Sequence, residues 1–121
     1  MSGDRRVQVI LRDQAKEEFE ALNQIVGEQQ ARGQTNSEEM QLLKSIKQKV
    51  ELIKLNPTVG DSIPKKLIPN DLGVSNLFRL NLTGYWRMLY TLAGNQVEVI
   101  AFVLYIVDHR EYDRIFGYKK R

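Results

Sequence analysis

The sequence contains no cysteine, which excludes disulfide bridges and thiolate metal sites. It has a single histidine, His109, so a metal site built from several histidines is excluded as well. The longest apolar run, Val99 to Val107, is nine residues, far below the roughly 18 of a membrane span. The first residues lack the apolar stretch of a secretion signal. We therefore expect a cytoplasmic protein with no membrane partner and no metal or other cofactor.

The charge of the chain is balanced in its first half and basic in its second. Residues 1–60 hold nine basic and nine acidic side chains, whereas residues 61–121 hold nine basic and six acidic ones, which accounts for the net charge of +3. This basic excess is compatible with an RNA or DNA partner, although many proteins of similar charge bind no polyanion. The 121 residues, 42% of them hydrophobic, predict one folded domain spanning residues 1–121.

The first half changes from strand to helix periodicity. The β-branched segment Val7 to Leu11 predicts a first strand. Apolar residues then recur at helical spacing in two segments. We expect Asp13 to cap the first helix, Asn36 with Glu39 to cap the second, and Pro57 to end it. Two amphipathic helices with a short polar link predict an αα-hairpin that covers one face of a sheet.

The second half predicts a three-stranded meander and a short helix. The segment Thr58–Asn76 is a loop rich in proline and glycine, Leu77–Leu82 and Trp86–Leu92 alternate, and Gln96–Val107 is apolar on both faces, as in a central strand. Asp108 then begins a short helix as its N-cap. The predicted fold class is α+β, with an antiparallel-rich sheet of about four strands, an N-terminal αα-hairpin on one face and a short C-terminal helix.

The register of the predicted hairpin follows from parity. If both apolar sets face one core, paired residue numbers must have an even sum, because a slip of one residue flips every side chain. A three-residue loop, 83–85, satisfies this and has glycine at its centre. Arg87 then lies opposite Asn81 and Arg79 opposite Leu89. The two arginines are diagonal neighbours, with Cα atoms roughly 7–8 Å apart, which is close enough to reach one phosphate.

Four side chains in this region suit chemistry on RNA, and no nucleotide-binding or hydrolase motif accompanies them. Arg79 and Arg87 can bind phosphate with their forked guanidinium groups. His109 can move a proton near neutral pH, and Tyr112 can stack on a base or orient a group. Together they suit metal-free cleavage by the neighbouring 2′-hydroxyl, which needs a base, an acid and stabilisation of charge on the phosphate oxygens.

The same residues also have structural interpretations. An arginine that alternates out of a strand is often merely solvated, His109 fits an ordinary helix start, and Tyr112 can pin a short helix to the core. Lys65 and Lys66 can be a solvated loop pair, and residues 119–121 are expected to form a mobile tail. The residues alone leave both sets of interpretations open.

The second half resembles the RelE/ParE toxin superfamily of type II toxin–antitoxin systems, and within it the archaeal RelE and HigB-like branch. The resemblance rests on the stretches IPKKLIP, NLFRLNLTGYWRMLYTL and HREYDRIFGY and covers residues 61–118, whereas residues 1–57 match only in element order. It implies a RelE-like fold and a toxin that cleaves messenger RNA in the ribosomal A site without metal. The implied partners are the ribosome, its mRNA and an acidic antitoxin.

The resemblance also implies roles for particular residues. Arg87 matches the arginine of the family's G-x-(x)-R-x-x-Y strand, which is implied to hold the scissile phosphate, and Arg79 matches a basic position on the preceding strand. RelE relies on lysines in the preceding strand, where this chain has only Arg79, and the YoeB-like branch has a glutamate base near the middle loop, where IPKKLIP has none. The remaining candidate for the general base is therefore His109. Tyr112 matches the terminal aromatic. The implied RNA-binding residues are Lys65, Lys66, Arg110 and Arg114.

Two other functions stay open at this point. The ParE branch shares the fold but acts on DNA gyrase, and a degenerate member can bind a protein partner without cleaving RNA. A general RNA-binding module would bind free RNA with strong salt dependence and leave it uncut.

Overall fold

The strands of the chain form one five-stranded mixed sheet, and the helices pack on its faces. The structure, a computed structural model, describes residues 6–95 and 97–117. Its helices and strands are, in chain order, β1 (Arg6–Leu11), α1 (Asp13–Ala31), α2 (Glu38–Leu55), β2 (Asp61–Ser62), β3 (Phe78–Asn81), β4 (Arg87–Gly94), β5 (Glu98–Val107) and α3 (His109–Phe116). The sheet order is β1-β5-β4-β3-β2, with β1 parallel to β5 and the other neighbours antiparallel.

The two faces of the sheet bury different sets of residues. Met88 and Tyr90 of β4 are fully buried beneath apolar side chains of α1 and α2, so we call this side the helix face. Leu89 points to the opposite side and packs with Leu77 and Tyr112. That opposite side carries Arg79 and Arg87, and we call it the arginine face. It is covered by α3 and by the segment between β2 and β3.

The predicted hairpin register is confirmed. Arg79 pairs with Leu89 and Asn81 with Arg87. The Leu82 amide donates to the Trp86 carbonyl at 2.9 Å, which closes a three-residue loop around a glycine with a φ of 63°. β5 lies between β1 and β4, so its prediction as a central strand is confirmed as well. Both results follow from the period of two in a strand, which is a local property of the sequence.

The α+β class is confirmed, but the sheet has five strands rather than about four. The extra strand, β2, lies inside the predicted loop, where Asp61 and Ser62 pair with Arg79 and Phe78. Two residues are too few for a strand pattern to stand out in the sequence. The predicted first strand is present as β1 and precedes both helices, so the helical pair is not the first element of the chain. In the described residues, no helix is long and apolar enough to cross a membrane.

The predicted caps of the two long helices are wrong by one residue. The N-cap of α1 is Arg12, whose extended backbone still donates to Val103 of β5 at 2.9 Å; Asp13 lies in the first turn with a φ of 49°. The N-cap of α2 is Ser37 instead of Asn36, and its Oγ accepts from the Met40 amide at 3.0 Å. Gln96 and residues 119–121 lie outside the described residues.

Candidate functional site

On the arginine face, Arg79 is held by partners from the chain itself. Its Nη1 donates to the Tyr112 hydroxyl at 3.4 Å, and its Nη2 donates to Asp61 Oδ2 at 3.1 Å. The bond to Tyr112, followed by the one to Asp61, raises the pKa of Arg79 above its ordinary value. Its Nε is buried and has no hydrogen-bond partner among the described residues. A phosphate would have to displace Asp61 to engage this guanidinium in a forked contact.

Arg87, at the start of β4, is the more available arginine. Its Nη1 donates to the Trp86 carbonyl at 3.0 Å, and its side chain is half-buried. Within residues 6–95 and 97–117, no carboxylate forms an ion pair with it. The strand pairing puts it on the same face as Arg79, as predicted. Its remaining donors can therefore bind an anion without breaking an internal ion pair.

Tyr112 acts as an anchor for α3. The residue is 8% exposed, and its ring packs against Phe116 with 4.6 Å between centroids. Its hydroxyl accepts from Arg79. The sequence left open whether Tyr112 stacks on a base or pins the short helix to the core. Its burial agrees with the second interpretation, because a buried ring offers no open face to a base.

His109 lies apart from this cluster. Asp108 caps α3 as predicted, accepting from the Glu111 amide at 3.0 Å. The His109 ring is exposed and meets Tyr85 of the β3–β4 turn in an edge contact, 5.3 Å between centroids. In the described parts of the chain, no hydrogen bond joins it to Arg79 or Tyr112. Of the four predicted catalytic residues, Arg79 and Tyr112 are hydrogen-bonded to each other, and Arg87 pairs with Val107, two residues before His109.

A cavity of about 690 Å³ opens beside His109, between α1, the start of α2, the β3–β4 turn and the start of α3. We call it the His109 cavity. Leu22, Ile25 and Leu42 supply apolar surface, and Tyr85 and Trp86 supply aromatic surface. Its acidic and basic lining residues are Glu18, Glu38, Glu39, Asp108, His109 and Arg110.

The acidic side chains of the cavity differ in their hydrogen bonds and in the direction of their pKa shifts. Burial, followed by the negative charge of Asp108, raises the pKa of Glu18 above its ordinary value. Glu39 accepts from Gln29 Nε2 at 2.9 Å, and this bond is the main cause of its lowered pKa. Across the described residues neither the Glu18 nor the Glu38 carboxylate makes a hydrogen bond, so a ligand can engage both without competition. Of these two, Glu18 is half-buried and Glu38 is exposed.

The predicted RNA-binding residues are spread over three positions. Lys65 and Lys66 are exposed on a single 3₁₀ turn in the segment that covers the arginine face. Arg110 lines the His109 cavity. Arg114 is bound to Glu111 at 3.0 Å on the exposed side of α3. Lys65 and Lys66 therefore lie on a different segment from Arg110 and Arg114, which are one helical turn apart on α3.

Three residues of these sites were not predicted. Asp61 lies in a two-residue strand, and Glu18 lies among similar charged residues on α1, so neither gave a signal in the sequence. Tyr85 could have been recognised from the sequence, since it lies in the predicted turn directly beside the apolar residues of β4. Comparison of the chain with protein-family models, with curated proteins and with solved structures gives no significant match.

Proposed function

We propose that this protein is the toxin of a type II toxin–antitoxin system and that it cleaves mRNA on the ribosome without a metal ion. The observation that carries the proposal is the pair Arg79 and Arg87, on one sheet face and on paired strands. Two arginines on paired strands of one face can provide the positive charge that a phosphate undergoing cleavage needs in its transition state. The ribosome and mRNA are the proposed partners, and the cytoplasm is the proposed location.

A RelE-like fold is part of this proposal. Support for it comes from the element order, in which a strand, two helices and an antiparallel meander precede a short helix. The parallel pairing of β1 with β5 brings the first strand beside the last, which closes the sheet over α1 and α2. The resemblance of residues 61–118 implies the same order.

In the proposed reaction the RNA 2′-hydroxyl gives up its proton as its oxygen attacks phosphorus and a 2′,3′-cyclic phosphate forms. The bond between phosphorus and the 5′-oxygen breaks, and this oxygen accepts a proton and leaves as a hydroxyl. Arg87 binds the non-bridging oxygens, where negative charge grows. Arg79 adds a second contact when phosphate replaces Asp61. His109 is the group that moves a proton, because its ring is exposed and free of hydrogen bonds among the described residues. Tyr112 acts by positioning Arg79.

The decisive experiment is induced expression in a bacterial host, with A-site cleavage mapped by primer extension. We expect Arg87→Ala and His109→Ala each to reduce cleavage by about 100-fold or more. Arg32→Ala is the matched control, because Arg32 is exposed at the end of α1, away from both sites. If the Arg87 and His109 variants arrest growth and cut mRNA as the parent does, the proposal is wrong.

A second candidate is a ParE-like or degenerate member that binds a protein, such as DNA gyrase, without cleaving RNA. It is favoured by two observations: Arg79 is engaged in an ion pair with Asp61, and Tyr112 is buried. Both residues are needed for cleavage under the first candidate. Growth arrest with intact mRNA and a DNA-damage response would support it. Under either candidate, the proposed antitoxin is an acidic protein that complements the basic second half.

A further inference from the structure

The His109 cavity has the size and aromatic surface of a site for a flat ring. Its volume of about 690 Å³ lies within the roughly 300–1,000 Å³ of small-molecule sites. Tyr85 is 70% exposed, and Trp86, the single tryptophan of the chain, lies beside it in the lining. Proteins bind unstacked nucleobases by stacking them on exposed aromatic rings of this kind.

The polar groups of the cavity select the edge that such a ring must present. Ionised carboxylates only accept hydrogen bonds, so Glu18 and Glu38 call for a ligand edge with donors and repel an edge with carbonyls. Asp108 uses one oxygen to cap α3, whereas Glu18 is uncommitted among the described residues. Within that same part of the chain, no three of the acidic or histidine side chains are grouped to hold a metal ion.

We propose that the His109 cavity binds guanine, with Tyr85 as the stacking surface and Glu18 as the residue that determines base specificity. Guanine presents an N1–H and an N2 amino group side by side, and one carboxylate can accept from both. Uracil presents carbonyls on both sides of its single N–H and would place at least one against the carboxylates. The phosphate or sugar lies on the side of Arg110, the exposed cation of the lining, because the acidic residues repel a phosphate.

The base can come from an RNA strand or from a free nucleoside. Its assignment to mRNA rests on the proposed function, in which the base lies next to the cleaved bond. The nucleobase site itself requires only the cavity.

The test is a fluorescence titration of the full chain, since Trp86 reports on the cavity directly. The probes are guanosine and uridine, which carry no phosphate. We expect saturable quenching by guanosine and binding of uridine about tenfold weaker or less. Glu18→Gln should bring the two affinities to within about twofold, and Tyr85→Ala should weaken guanosine about fivefold or more. Glu17→Gln is the matched control, because Glu17 is the exposed neighbour of Glu18 on α1.

Equal binding of both nucleosides, or no saturable quenching by guanosine, would overturn the inference. A short uridine oligomer with one central guanosine separates the two sources: tighter binding than guanosine assigns the site to RNA, and equal binding assigns it to free nucleoside. The titration contains no ribosome and so tests the cavity alone. Guanosine binding in the titration without mRNA cleavage in cells would contradict only the proposed function. Cleavage without discrimination between guanosine and uridine removes only the cavity assignment.

Discussion

The arginine face and the His109 cavity differ in how far the chain satisfies its own polar groups. On the arginine face, Arg79 is bound by Asp61 and Tyr112, and Tyr112 is buried. In the cavity, the ring of His109 is exposed and the carboxylate of Glu18 makes no hydrogen bond among the described residues. Both regions contain residues that the sequence marked as functional, yet only the second has most of its groups uncommitted.

This difference separates residues that build the protein from residues that can act on a ligand. A buried or paired polar group stabilises the fold and must lose its partner before it can bind anything else. An exposed group without a partner binds at no such cost. The comparison predicts that substitutions on the arginine face affect stability most, and that substitutions in the cavity affect binding most.

The largest expected effect is a loss of stability on substitution of Tyr112 that substitution of Tyr85 does not cause. Tyr112→Ala should lower the free energy of unfolding by about 3–5 kcal/mol, because it removes a buried aromatic ring between α3 and the sheet. Tyr85→Ala is the matched control and should stay within about 0.5 kcal/mol, since its ring is 70% exposed. Urea unfolding followed by circular dichroism measures both. Similar losses in the two variants would contradict the division between the regions.

A smaller effect is expected from releasing Arg79. Asp61→Asn removes the ion pair at 3.1 Å, so the guanidinium becomes free to bind phosphate. We expect affinity for a single-stranded oligoribonucleotide to rise about fivefold, equivalent to about 1 kcal/mol, with a steeper salt dependence. Asp71→Asn makes the same charge change at an exposed aspartate and is the control. An equal gain in both variants would mean that net charge, and not Arg79, is responsible.

The smallest effect concerns the pH dependence of stability. The pKa of Glu18 in the folded protein is raised above its ordinary value of 4.5, so the folded state holds this proton more tightly than the unfolded state does. The corresponding stabilisation is complete below about pH 4.5 and is lost as pH rises through the raised pKa. Glu18→Gln should therefore gain stability relative to the parent between about pH 4 and pH 7. The gain should stay below about 0.5 kcal/mol, because the carboxylate is half-exposed and solvent screens its interactions.

The measurement for this prediction is the urea midpoint at both pH values. Glu38, Glu39, Asp108, His109 and Arg110 line the same cavity and are the same side chains in parent and variant. Glu17→Gln again serves as the control. A difference that is constant with pH, or the same in both variants, would show that the Glu18 environment does not perturb its ionisation.

Several features of the fold could be predicted because they depend on neighbouring residues alone. The register that pairs Arg79 with Leu89 follows from strand alternation, and the Asp108 cap follows from a short polar residue at a helix start. The cap of α2 could not be chosen in this way. Asn36 and Ser37 are both good caps, and Ser37 also donates to Gln29 of α1 at 2.6 Å, a contact that only the folded chain provides.

The sequence by itself determined that two arginines share one sheet face and that the single histidine follows the central strand. Both are consequences of periodicity and chain order, which act over a few residues. Tertiary structure alone decided that Asp61 forms an ion pair with Arg79, and that Glu18, Tyr85 and His109 line one cavity. Those groups come from distant segments, and packing of α1, the β3–β4 turn and α3 against one sheet brings them together.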